Sequence, residues 1–126
     1  MSTTELLPAL VKAGHKATIS DGRLVVSYRG AEFFVAIDAH NALIRTALFH
    51  TDLKQYVTNE MLERIVGHVN VAVRGAKSII TDNAVFILSE IFATDANDWA
   101  LCFHHMAAAM LQHNQELDTF SAQVRG

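Results

Sequence analysis

Seven histidines are the first residues in this chain whose type could do chemistry, and His104-His105 is the closest pair among them. Two imidazoles share one metal ion when a helical spacing of i, i+4 aims both rings at a common point. Adjacent helical residues point about 100° apart, and no two histidines here are four residues apart. The expectation is no metal site and no cofactor, with one ring of the pair exposed and the other at a core edge. Cys102 lies in an apolar stretch with no activating neighbour in sequence, so core packing is its expected role. Ser20, Ser27, Ser78, Ser89 and Ser121 fall in no nucleophile motif, and the chain has neither a Walker loop nor a G-x-G-x-x-G turn. Asp95 with Asp98 and Glu116 with Asp118 could be imagined as acid/base pairs. The first sits more simply at a helix start, where negative charge is stabilised, and the second on the solvated side of a long helix. No catalytic residue is expected.

The elements that must position these groups follow from periodicity. Leu6, Leu7, Leu10 and Val11 repeat at helical spacing behind a cap at Thr3 or Thr4, with Pro8 expected in the first turn and Gly14 as the stop. From Ala17 to Phe49 the period becomes two, and Asp21-Gly22 and Arg29-Gly30 divide the stretch at hairpin turns. Leu24, Val26 and Tyr28 share one face, as do Phe33, Val35 and Ile37, and a further strand runs from about Leu43 to Phe49. Met61, Leu62, Ile65, Val66 and Val69 form the stripe of a helix from about Asn59 to Val73, capped by Thr58 or Asn59. Ser78 to Thr81 and Val85 to Phe92 read as two strands around Asp82-Asn83.

The last segment is the most regular. Trp99, Phe103, Met106, Met110, His113, Leu117, Phe120 and Val124 alternate spacings of four and three, which holds them on one face of a helix capped by Asp95. From Asn97 to about Val124 such a helix spans roughly 40 Å, more than a small core covers. His113, Leu117, Phe120 and Val124 are therefore the expected partner or dimer interface, with a twofold dimer as the natural cover. Short links between strands imply antiparallel neighbours. The fold class is α+β: an antiparallel sheet of about five strands with three helices on one face, in a single domain of residues 1–126.

The order of elements resembles the YbjN family of bacterial sensory-transduction regulators, whose fold is similar to that of the type III secretion chaperones. The likeness rests on the hairpin FFVAIDAHNALIRTALF, the helix MLERIVGHVN ending near Asn70, the hairpin AKSIITDNAVFILSEIF and the closing helix DWALCFHHMAAAML. It implies a non-enzymatic domain, often dimeric, that binds a polypeptide, and it brings no catalytic residues. Secretion chaperones hold an extended segment on apolar patches. This chain lacks their strongly acidic composition, which sets it apart from a dedicated chaperone.

Composition bounds the partners. A chain of 126 residues, 51% apolar, fills one domain. A net charge of -3 and no run of Lys or Arg argue against nucleic acid and anionic membrane. The N-terminal segment MSTTELLPALVKAG lacks the pattern of a secretory signal, no stretch approaches the roughly 18 apolar residues of a membrane span, and a single cysteine suits a reducing compartment. The expectation is a cytoplasmic, homodimeric protein-binding domain, chaperone-like or regulatory, with a protein partner. The alternative is a small-molecule-binding protein or enzyme with a pocket between sheet and helices, drawing its polar groups from Tyr28, Arg45, His50 and Tyr56.

Overall fold

A computed structural model describes residues 1–50, 58–72, 75–81 and 84–125. In chain order the described elements are α1 (Thr3–Lys12), β1 (Lys16–Ser20), β2 (Arg23–Tyr28), β3 (Ala31–Asp38), β4 (Leu43–His50), α2 (Asn59–Ala72), β5 (Lys77–Thr81), β6 (Ala84–Phe92) and α3 (Ala96–Arg125). The six strands form one sheet in the order β1-β2-β3-β4-β6-β5, antiparallel throughout. Six strands stand where about five were expected, and Lys16–Ser20, divided from β2 at Asp21-Gly22, is an edge strand. Both residues of that turn have positive φ (52° and 76°), as do Arg29 and Gly30 (50° and 80°), the pair of left-handed residues that matches the twist of a two-residue hairpin. The Asp82-Asn83 turn and Tyr56 lie outside the described residues.

Helix ends follow local chemistry, with two corrections at α1. Its N-cap is Ser2, whose side chain makes no cap bond; the Glu5 and Leu6 N–H groups donate to the Ser2 carbonyl instead. Pro8 is inside the helix, beyond the first turn, on the exposed side. At α2 the Met61 N–H donates to Thr58 Oγ1 at 3.2 Å, and at α3 the Asp98 N–H donates to Asp95 Oδ1 at 3.0 Å, so both expected caps form.

One face of the sheet carries the core. Leu24 and Val26, Phe33 and Val35, Ile44 and Leu48, and Val85 and Ile87 point inward from successive strands. Leu6 and Leu10 of α1, Leu62, Ile65 and Val69 of α2, and Trp99, Phe103, Met106 and Met110 of α3 close over them. The Phe103 ring sits edge-on to Phe33 (5.8 Å between centroids) and Tyr28 (6.3 Å). Gly75, φ +87°, admits the approach of α3: a Cβ there would lie 3.3 Å from Ala109 Cβ.

Candidate functional site

The final helix does not outrun the core. His113 and Leu117 are fully buried within the chain, and Phe120 and Val124 pack partly buried against the same core. The reason is tertiary: α2 and the β4 end of the sheet extend beneath the last turns of α3. His68 of α2 stacks on the Phe120 ring at 3.9 Å between centroids, and His50 at the end of β4 meets Asp118 at 2.7 Å.

His113 belongs to an internal network. Asn70 in the last turns of α2 clasps β5, its Nδ2 donating to the Ser78 carbonyl (3.0 Å) and its Oδ1 accepting from the Ser78 N–H (2.7 Å) and Oγ (3.0 Å). The single Ser78 hydroxyl proton is thus committed to Asn70, so His113 Nε2, 2.8 Å from Ser78 Oγ, is the donor in that bond. His113 Nδ1 is left buried without a hydrogen-bond partner. Burial pushes the His113 pKa below its ordinary 6.5, outweighing the Ala76 backbone, which acts the other way. Sequence could flag a histidine in an apolar stripe; it could not supply the serine, 35 residues away, that holds it.

The other chemistry-bearing residues do not converge. Tyr28 and His50 face the core from distant parts of the sheet: the first packs on Phe103, the second binds Asp118, and the helix between those partners rises about 22 Å. Arg45 faces the opposite way and pairs with Glu90 at 3.4 Å. The layer between sheet and helices is filled by apolar side chains. His104 and His105 are both exposed, their rings 3.8 Å apart, which corrects the expectation that one sits at a core edge. Cys102 is also exposed, not packed in the core, because the helix face it occupies turns away from the sheet. Among the described residues no three His, Cys, Asp or Glu side chains are grouped to hold a metal ion.

What the fold leaves open is the outer face of the sheet, on which no described helix packs. Register places its residues in rows across the strands. Val25, Phe34, Ala47, Leu88 and, at the β5 edge, Lys77 form one row, and Ser27, Glu32, Phe49, Phe86 and Ile79 the next. Phe49 (41%) and Ile79 (44%) are substantially exposed, as is Phe92 (76%) at the opposite end of β6, level with Leu43. Arg23, Ala36, Arg45 and Glu90 line the row on the other side of Phe34. Over Ala36 and Ala47, where side chains are short, the face sinks into a depression of about 480 Å³ walled by Phe34, Phe49 and Phe86 with Arg23 and Arg45 at its rim. Sequence reading missed this surface although a signal was present: FFVAI and AVFIL are apolar at both parities, the mark of a strand covered on two faces.

The search of family models gives no match, and none of the curated proteins matches the sequence. Among solved structures the fold is similar to the crystal structure of YbjN, a candidate transcription regulator from E. coli. That likeness has a TM-score of 0.74 and 11% sequence identity, and covers 95% of this chain and 93% of the other. The architecture is therefore YbjN-like, as the order of elements implied. No helix among the described residues is long and apolar enough to cross a membrane.

Proposed function

We propose that this chain is a non-enzymatic protein-binding domain, chaperone-like or regulatory, that works through a polypeptide docked on its outer sheet face. The observation that carries the reading is the asymmetry of the sheet. One face is closed by three helices and packed with apolar side chains among the described residues; the other presents phenyl rings and branched aliphatics to solvent around a shallow depression. Contiguous apolar surface of this kind marks an interaction site, and a flat sheet face suits another polypeptide surface better than a small ligand. The likeness to a candidate regulator accords with this role. A net charge of -3 disfavours nucleic acid as the direct occupant, and a single exposed thiol accords with a cytoplasmic setting. A second copy of the chain is the polypeptide this face fits first, so the working unit is a homodimer.

The test is photocrosslinking in native cells with benzoylphenylalanine at Phe86, and at Leu101 on the helical side as the comparison. The expected result is a covalent adduct to one defined polypeptide from Phe86 alone, lost when Ala47→Glu fills the depression. No adduct at Phe86, or an adduct that Ala47→Glu leaves unchanged, would overturn the reading.

A further inference from the structure

Resting on that reading of the sheet face, we infer that two copies of this chain pack sheet against sheet about a twofold axis running along the strands between β3 and β4. Across a six-stranded sheet ordered β1-β2-β3-β4-β6-β5, this axis lays β3 of one copy over β4 of the other and β2 over β6. The register then fixes which residues meet. In the central row Phe34 faces Ala47 of the second copy and Val25 faces its Leu88, each large group over a smaller or flexible one. Phe34 is thereby delivered to the depression floored by Ala36 and Ala47, which has the shape to receive a ring.

Charge accords with this axis. In the row of Arg23, Ala36, Arg45 and Glu90 it sets Arg23 of each copy over Glu90 of the other, forming two symmetric ion pairs at the rim. Size is adequate. Four strands about 4.8 Å apart, each about eight residues of 3.3 Å, present a projected face of about 500 Å², so the pair buries about 1,000 Å², the lower bound for a specific interface. Aligned sheets crossing at about 30° are the ordinary geometry for such packing.

The experiment is light scattering coupled to size exclusion on the full chain. Wild type is expected at twice 13.9 kDa and Ala47→Glu, folded by circular dichroism, at 13.9 kDa. Arg23→Glu and Glu90→Arg should each weaken the dimer about tenfold through like-charge contacts. The two together should restore it, a rescue that damage to folding cannot produce and that still decides the matter if Ala47→Glu does not fold. A monomeric wild type, a dimeric folded Ala47→Glu, or failure of the double exchange to restore what the single exchanges lose overturns this arrangement. If wild type is monomeric while Phe86 still crosslinks to a defined different polypeptide, the second copy falls and the protein-binding reading stands.

Discussion

Replacing His113 by glutamine tests whether the buried network is built around a neutral imidazole. Burial depresses the His113 pKa in the folded chain, whereas the unfolded chain restores its ordinary value of 6.5. Between those two values the unfolded state binds the extra proton, so His113 contributes stability that is fully present above about pH 6.5 and is lost as pH falls toward the folded-state pKa. The slope cannot exceed about 1.4 kcal/mol per pH unit, and integration from pH 7.5 to 5.5 gives a loss of at most about 1.4 kcal/mol for a folded-state pKa well below 5.5. Glutamine keeps an amide to meet Ser78 Oγ but does not titrate, so its own cost is common to both pH values and cancels. Urea denaturation of both proteins at the two pH values measures the difference. With an m-value of about 1.5 kcal/mol/M the wild-type midpoint should fall by up to about 0.9 M more than that of His113→Gln. His15, whose pKa burial also lowers, is present in both proteins and drops out of the comparison. Equal shifts in the two proteins would refute the argument, since they would leave the acid sensitivity to groups other than His113.

Two further substitutions probe the scaffold. Phe103→Ala empties the centre of the aromatic cluster formed with Phe33, Tyr28 and Trp99 and should cost about 3–5 kcal/mol in chemical denaturation; a loss below about 1 kcal/mol would mean the core refills the space. Gly75→Ala forces a Cβ into a backbone with φ +87° and against Ala109, so a loss of about 1–2 kcal/mol is expected in the same assay, and an unchanged midpoint would contradict the strain.

Much of the scaffold is legible without coordinates. Asp21-Gly22 and Arg29-Gly30 mark hairpins because only two-residue turns with positive φ match strand twist, and both turns form. Thr58 and Asp95 announce helix starts by the bond each makes to an N–H three residues on. The stripe of Trp99, Phe103, Met106 and Met110 is buried as its spacing requires. The open face is less legible, because Phe34, Phe49 and Phe86 are apolar at the parity opposite to the core set, and alternation alone identifies only one covered side.

The sequence by itself determined the local elements, the two-residue turns at Asp21-Gly22 and Arg29-Gly30 and the shared faces of Leu24, Val26 and Tyr28 and of Phe33, Val35 and Ile37, because those depend on periods of two and 3.6 and on turn chemistry within a few residues. Tertiary structure alone decided the rest. Whether Leu117 is covered depends on the placement of α2 and β4 beneath α3. Whether His113 has a partner depends on Ser78, brought to it by β5. Which apolar side of the sheet stays open depends on all three helices packing on the other. A residue's pattern tells which way it points along its own element; what it meets there is set by segments distant in the chain.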